Sequence, residues 1–322
     1  MKRINHKEIA EFLKKFKKIA IFGHVSPDGD CYGACLGLKL GFEKLGGRGL
    51  IYLADTLPEF IKFLNEYTTF EKSIGFEPVD AVFILDTPSW QRIDNVQLLE
   101  QFKQSKTPIY VIDHHEVGDL LEKADYIWQD PSFSSASEMI LKVLQNLKLK
   151  FDKTISTLLL TGIETDTSSF QNQNTTEESF KAAAFLVANG ARLGTIINNA
   201  FLTKEIDVVK VYGLALERLI FNKEYQTVTS FITEKDLLDH NLGREAVSGI
   251  ANYLNSIGGA SIVFLIYADG NGKIEVSLRT RSELVDVQVL AKFLGGGGHK
   301  KASGFTTSGS FCLDQGKPSI LA

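Results

Sequence analysis

Short apolar segments alternate with segments of helical periodicity through the first 190 residues of the chain. Strands are predicted near residues 19–23, 49–53, 81–86 and 109–113, and helices at 31–45, 58–64, 96–104, 135–147 and 153–164. This alternation is typical of an α/β fold with a doubly wound, mostly parallel sheet. Ligands bind such sheets outside the carboxyl ends of the strands, so functional side chains are expected at that edge.

The remainder of the chain has a different pattern. Residues 175–220 are largely helical, and beyond them we predict strands at 225–232, 261–267 and 273–279, and helices at 246–255 and 285–294. The turn Asp269-Gly270-Asn271-Gly272 predicts a hairpin between the last two strands. We therefore assign residues 1–190 to a larger domain, 191–222 to a helical connector, and 223–322 to a smaller α/β domain.

Composition narrows the class of protein. The chain has 322 residues, of which 23% are charged and 44% are hydrophobic, as in a globular protein with two cores. A net charge of −4 argues against binding nucleic acid through bulk electrostatics. No apolar run approaches the roughly 20 residues of a membrane helix. Three cysteines without CxxC spacing favour a reducing compartment, so a cytoplasmic protein is expected.

The strand predicted at 109–113 ends in the triplet Asp113-His114-His115. Two adjacent histidines after a buried strand have no low-cost packing role, because burying a polar ring without a partner is unfavourable. Imidazole is also a common metal ligand and acid–base group. The triplet therefore indicates a metal or catalytic site.

Further polar side chains follow the other strands. The segment Gly23-His24-Val25-Ser26-Pro27-Asp28-Gly29-Asp30 carries an imidazole and two carboxylates on a loop that turns at Pro27 and Gly29. Its alternative interpretation is a turn in which Asp30 caps the next helix. Asp86 follows a strand and Asp166 ends a helical segment, and each alone would also suit a turn or cap.

Together these clusters supply three histidines and five carboxylates, enough for two divalent ions bridged by one carboxylate. Mixed imidazole and oxygen ligands suit Mn²⁺, with Mg²⁺ or Co²⁺ as alternatives. Two ions about 3.5–4 Å apart can activate a hydroxide and neutralise a phosphate. Phosphoester hydrolysis is the reaction class that fits.

A glycine run near the end of the chain is the remaining strong signal. Gly295-Gly296-Gly297-Gly298-His299-Lys300 would let backbone N–H groups approach an anion, although a flexible loop is the alternative. Arg279 and Arg281 lie on one face of a predicted strand end and could add phosphate contacts. For Arg281 a solvated basic face is an equal alternative.

In this order and at these spacings, the motifs resemble those of the DHH phosphoesterase family with a C-terminal DHHA1 domain. The similarity covers nearly the whole chain and is greatest to the oligoribonuclease and 3′-phosphoadenosine 5′-phosphate (pAp) phosphatase group. The motifs are Gly23–Asp30, Leu85-Asp86-Thr87, Asp113-His114-His115, Gly162–Thr167 and, for DHHA1, Gly295–His299. Ser168 departs from the pattern, since relatives often have glycine there.

The resemblance implies roles for individual residues. One metal ion would be held by His24, Asp28 and Asp86. The second would be held by Asp30, Asp86, His114 and Asp166, so that Asp86 bridges the two ions. His115 would face the scissile phosphate, and Asp113 would orient the histidines. The rest of the nucleotide would be bound by Arg279, Gly296, Gly297, Gly298 and His299.

The resemblance also implies a Mn²⁺-dependent phosphohydrolase. It would degrade RNA oligonucleotides, from dinucleotides to pentanucleotides, to mononucleotides and would act as a 3′(2′),5′-bisphosphate nucleotidase on pAp. The alternatives are an inorganic pyrophosphatase or exopolyphosphatase, a DHH-type single-strand exonuclease, and a non-catalytic nucleotide-binding module. Short single-stranded RNA and nucleotides are the expected partners, and no membrane is expected. The oligomeric state stays open, a homodimer being one option.

Overall fold

The structure is a computed structural model. It describes residues 1–53, 57, 59–67, 72–87, 89–93, 95–115, 120, 123–202, 205–247, 249–298, 300–314 and 317–321. The chain divides into two compact units, Met1–Thr203 and Lys204–Ala322.

The first unit is built on a six-stranded sheet in which every neighbouring pair is parallel. Its strands are β1 (Lys2–Arg3), β2 (Lys18–Phe22), β3 (Arg48–Tyr52), β4 (Ala81–Leu85), β5 (Ile109–Asp113) and β6 (Tyr126–Gln129). They lie in the order β1-β6-β5-β4-β2-β3. The chain therefore runs from β2 outward to β3 and returns on the other side of β2 to form β4. The crevice between β2 and β4 is the point where such sheets bind ligands.

Helices cover both faces of this sheet. They are α1 (His6–Leu13), α2 (Gly29–Glu43), α3 (Val96–Gln104), α4 (Ala136–Asn146), α5 (Lys153–Asp166), α6 (Glu177–Ala188) and α7 (Leu193–Ile197), with 3₁₀ turns at Glu59–Glu66 and Trp90–Arg92 and a π turn at Asn198–Leu202. Alternate strand residues point to opposite faces. Ile19 and Ile21 join one apolar cluster, while Ala20 and Phe22 join another. The predicted doubly wound sheet is confirmed.

The strand β6 was not predicted from sequence. It has four residues and is flanked by Asp125 and Asp130, so its apolar run is too short to be told from a loop. Its identity comes from pairing, because Tyr126–Gln129 aligns in parallel with Tyr110–Asp113 of β5. This pairing extends the sheet beside the strand that carries the Asp-His-His triplet.

The second unit has a mixed six-stranded sheet in the order β11-β12-β10-β9-β8-β7. Its strands are β7 (Ile220–Asn222), β8 (Thr227–Thr233), β9 (Ile262–Ala268), β10 (Lys273–Arg279), β11 (Gly297–Gly298) and β12 (Ala302–Ser308), followed by a separate hairpin of β13 (Ser310–Asp314) and β14 (Lys317–Leu321). Only β8 and β9 pair in parallel. The hairpin predicted between β9 and β10 is confirmed.

The helices of this unit are α8 (Ile206–Glu217), α9 (Glu234–Leu238), α10 (Ile250–Leu254) and α11 (Val287–Phe293), with a 3₁₀ turn at Arg244–Val247. Val211 and Ala215 of α8 belong to the same buried cluster as Val228 and Val263. Part of the segment predicted as a connector, 191–222, therefore contributes to the core of the second unit.

Within the described residues, none of the helices is by itself both long and apolar enough to cross a bilayer. Glu177–Ala188 and Leu193–Leu202 reach that length and composition only as a pair, and the pair is bent by 116°.

An ion pair fixes the start of α9. The guanidinium of Arg218 donates from two nitrogens to the two carboxylate oxygens of Asp236, at 2.6 and 2.7 Å. The same carboxylate accepts the backbone N–H and the hydroxyl of Thr233, at 2.8 and 2.7 Å. Burial opposes ionisation of Asp236, but these donors outweigh it and lower its pKa to about 2.

We expect Asp236→Asn to lower the free energy of unfolding by about 1–3 kcal/mol at neutral pH, because charged hydrogen bonds are lost. Asp236 has a depressed pKa when folded, so its contribution is complete above the unfolded pKa of about 4 and disappears as the pH falls towards about 2. Urea unfolding followed by circular dichroism near pH 7 and near pH 3 tests this. A variant equally destabilised at both values would contradict it.

Candidate active site

The carboxyl ends of three neighbouring strands place the predicted site residues together. His24 follows β2, Asp86 follows β4, and Asp113 ends β5. These three strands are neighbours in the sheet. The carboxylate of Asp86 lies 3.6 Å from Nε2 of His24 and 3.5 Å from Nε2 of His114. It also lies 3.8 Å from Nδ1 of His115. One buried carboxylate thus stands among three imidazoles.

Asp86 has an unusual backbone conformation. Its φ angle is +54°, in the left-handed region, and its backbone N–H donates to the carbonyl of Ile112 at 3.1 Å. For a residue with a side chain this conformation costs about 1–2 kcal/mol. Such strain persists only where the surroundings impose it, and it concentrates at functional sites. The packing of the strand ends therefore holds this carboxylate in place.

His114 presents an unsatisfied nitrogen to three carboxylates. Its Nε2 is buried and has no hydrogen-bond partner among the residues that the structure describes, and it lies 3.9 Å from Oδ2 of Asp30 and 3.9 Å from Oδ2 of Asp166. These separations are longer than hydrogen bonds. Imidazole nitrogen and carboxylate oxygens that face a common space without bonding each other are the donors expected around a cation.

Asp30 is positioned by a helix that is distant in the sequence but adjacent in space. Its carboxylate accepts the backbone N–H groups of Ala136 and Ser137, at 2.6 and 2.8 Å, in the first turn of α4. Burial raises the pKa of Asp30 well above its usual range, and the nearby carboxylates of Asp86 and Asp166 raise it further. The alternative in which Asp30 caps the helix that follows it is wrong, because Asp28 accepts the first N–H groups of α2.

Asp166 is the last residue of α5, as predicted. Its Oδ2 accepts from Nδ2 of Asn174 at 2.8 Å, and the same amide donates to the carbonyl of Ser134 at 2.9 Å. Sequence reasoning missed Asn174, since an asparagine in a loop rich in Asn, Gln and Thr has no distinguishing pattern. Two residues further on, Ser168 has a φ of +48°, a conformation that favours glycine, so nothing in the backbone explains the serine at this position.

Asp113 contacts the second histidine of the triplet. Its Oδ1 lies 2.7 Å from Nδ1 of His115, and Nε2 of Gln129 donates to the carbonyl of His115 at 2.8 Å. Burial lowers the pKa of His115, but the hydrogen bond to Asp113 outweighs it and the pKa is raised overall. Both the orientation and the proton affinity of this ring thus depend on Asp113.

The ionisation state of each His and Asp side chain in this site depends on its neighbours. Desolvation and the charges of Asp86 and Asp28 raise the pKa of Asp166 to about 6. Burial lowers the pKa of His24, but contact with Asp86 and Cys31 raises it to about 12. Carboxylates packed this closely repel one another, and a bound cation would remove that repulsion. These His and Asp groups can therefore hold a metal ion.

In the second unit, Arg279 ends β10. Its Nε donates to Oδ1 of Asn252 at 2.6 Å, and Nη1 donates to the carbonyl of Leu278 at 2.9 Å. Arg281, two residues further on, is exposed. Arg279 and Asn252 lie 27 positions apart in the chain, and no spacing rule links them. The guanidinium is held in a defined orientation by these contacts.

The backbone of the glycine run is hydrogen-bonded within the second unit. Gly295, just beyond the end of α11, has a φ of +80°. Its N–H donates to the carbonyl of Lys292, and the N–H of Gly296 donates to the carbonyl of Ala291 at 2.8 Å. These two bonds are the usual helix-terminating pair, so the N–H groups of Gly295 and Gly296 are already engaged. Gly297 and Gly298 form β11, which pairs with Ser303 and Gly304. His299 lies outside the described residues.

Family models and individual relatives match this chain over most of its length. Residues 18–163 match the DHH family, N-terminal domain, and residues 224–317 match the DHHA1 domain. The bifunctional oligoribonuclease and PAP phosphatase NrnA of Thermus thermophilus is 30% identical over 319 residues, covering 97% of this chain and 91% of that protein. The protein of the same name from Bacillus subtilis is 27% identical over 300 residues, covering 92% and 91%.

A solved structure shares the fold. An exopolyphosphatase-related protein from Bacteroides fragilis aligns with a TM-score of 0.82, covering 95% of this chain and 92% of that one at 22% identity. At this identity the likeness extends to the fold alone.

Proposed function

Because this chain belongs to the DHH family of phosphoesterases and carries a DHHA1 domain, we propose that it hydrolyses short RNA oligonucleotides to mononucleotides and dephosphorylates pAp to AMP. The relatives that match it over nine-tenths of their length are named for these two activities. The observation that carries the reaction class is the buried carboxylate of Asp86 among the imidazoles of His24, His114 and His115.

We propose that the cluster binds two divalent ions. His24, Asp28 and Asp86 would hold one, and Asp30, Asp86, His114 and Asp166 would hold the other. The unpartnered Nε2 of His114 supports this assignment, and mixed nitrogen and oxygen donors suit Mn²⁺, with Mg²⁺ or Co²⁺ as alternatives. When bound, such ions would lower the pKa of a water molecule and neutralise phosphate oxygens.

Side chains of the protein would supply the remaining contacts with the phosphate groups of the substrate. A protonated His115 donates a hydrogen bond to an oxygen of the scissile phosphate, and Asp113 holds the ring in the orientation this requires. Arg279 pairs with a further phosphate of the substrate, since a guanidinium binds phosphate with two parallel hydrogen bonds. The first unit would thus carry the chemistry and the second unit substrate recognition.

The test is a substrate panel with a metal-depleted protein. Protein stripped by a chelator is supplied with Mn²⁺, Mg²⁺ or Co²⁺ and offered an RNA dinucleotide, a longer RNA, pAp and pyrophosphate. We expect no turnover without metal, and turnover of the dinucleotide and pAp with Mn²⁺. Turnover of pyrophosphate alone would support the pyrophosphatase alternative, and preference for the longer strand would support the exonuclease. Full activity in the stripped protein would contradict the metal site.

We expect Arg279→Ala to lower kcat/KM by about ten- to a hundredfold, mainly through KM, because one charged hydrogen-bonding group is lost from binding. Arg281→Ala is the matched control, since it removes the same charge from an exposed residue close by. Steady-state kinetics with pAp measure both variants. Equal effects of the two substitutions would indicate general electrostatics rather than a defined contact.

A further inference from the structure

Cys31 lies against the proposed metal site. It stands in the first turn of α2, where its backbone N–H donates to Oδ1 of Asp28 at 3.1 Å. Its side chain is fully buried beside the ring of His24. One ligand atom each from His24, Cys31 and Asp86 lies within 4.8 Å of the other two.

The local backbone makes room for this sulfur. A Cβ atom at Gly23 would lie 2.3 Å from Sγ of Cys31, so any larger residue there would displace the thiol. Nδ1 of His24 lies 2.8 Å from the carbonyl of Val25, so Nε2 is the ring nitrogen left to face a cation. That nitrogen is the one that faces Asp86.

The next cysteine provides a contrast. Cys35 lies one helical turn further along α2, is equally buried, and directs its sulfur to the carbonyl of Phe22 at 3.9 Å. Among the described residues it is not grouped with any set of potential metal ligands. The two cysteines therefore share burial and helix but differ in access to His24 and Asp86.

We propose that Cys31 is a further ligand of the cation held by His24 and Asp86. The sulfur binds as a thiolate, and the S–H proton passes to solvent as the metal–sulfur bond forms. A sulfur, nitrogen and oxygen donor set favours borderline-soft ions such as Zn²⁺, Co²⁺ and Cd²⁺ over Mn²⁺ and Mg²⁺. The other half of the site has only nitrogen and oxygen donors. The inference rests on the proposed function only in requiring a cation at His24 and Asp86.

Cobalt absorption provides the test. The full-length protein, stripped of metal, is titrated with Co²⁺ while near-ultraviolet absorption and bound cobalt are measured for wild type, Cys31→Ser and Cys35→Ser. A cobalt–thiolate bond transfers charge from sulfur to metal and absorbs in this region, whereas nitrogen and oxygen ligands do not. We expect the band in wild type and Cys35→Ser, and its loss in Cys31→Ser with cobalt still bound.

Metal competition gives a second readout. We expect Cys31→Ser to bind Cd²⁺ about ten- to a hundredfold more weakly, while Mn²⁺ affinity changes far less. Cobalt bound to wild type without the band, or a band that persists in Cys31→Ser, would overturn the thiolate ligand and leave the proposed function intact. Failure of wild type to bind any Co²⁺ or Mn²⁺ would overturn both. Cys31→Ala, compared with wild type by circular dichroism, replaces the serine variant if that variant fails to fold.

Discussion

Replacing Asp86 with asparagine is expected to lower kcat by about a thousandfold or more, because the loss of metal-based charge stabilisation amounts to several kcal/mol. The carboxylate contacts His24 and His114 at 3.6 and 3.5 Å, and an amide there supplies neither the charge nor two equivalent oxygens. Asparagine is also among the residues that best tolerate the positive φ of this position. The fold should therefore survive the change.

The measurements are the rate of pAp hydrolysis and the stoichiometry of bound Mn²⁺ in the same preparation. Asp239→Asn serves as the control. Asp239 is exposed and paired with Lys235, and its replacement removes one negative charge, as Asp86→Asn does. We expect the control to match wild type. An Asp86→Asn protein that hydrolyses its substrates normally would remove the proposed bridging role and would favour a nucleotide-binding module without catalysis.

Gly162→Ala should lower both the stability of the protein and its activity. A Cβ atom at this position of α5 would lie 2.0 Å from Oγ of Ser137 and 2.6 Å from Oδ1 of Asp30. Both distances are too short, so either both neighbours or the helix itself must shift, and Asp30 is held by the first turn of α4. Overpacking of this kind costs about 1–3 kcal/mol. Displacing the carboxylate should also weaken Mn²⁺ binding and lower activity by about tenfold or more.

Gly213→Ala is the matched control, because Gly213 lies within helix α8 and a Cβ atom there would meet nothing within 4 Å. Alanine lowers the entropy of the unfolded chain, so this variant should gain about 0.4–1 kcal/mol and keep full activity. Thermal unfolding and Mn²⁺ titration compare the two proteins. If Gly162→Ala were as stable and active as Gly213→Ala, the close approach of α5 to Asp30 would not matter to the site.

Local sequence patterns were sufficient to predict much of the secondary structure of the first unit. The apolar strands β2, β4 and β5 and the helices around them follow from hydrophobic periodicity, which each segment carries within itself. The capping pair of Asn5 and Glu8 at the start of α1 is likewise a local arrangement. Because parallel strands end at one edge, His24, Asp86 and Asp113 were expected to converge, and the structure places them there.

Other features depend on contacts between residues far apart in the chain, which no local spacing records. The four residues of β6 become a strand only by pairing with β5, and the N–H groups that hold Asp30 belong to a helix more than a hundred residues away. Arg279 meets Asn252 only once the second sheet has formed. Periodicity and turn chemistry select secondary structure, whereas long-range packing places the polar partners that orient each functional side chain.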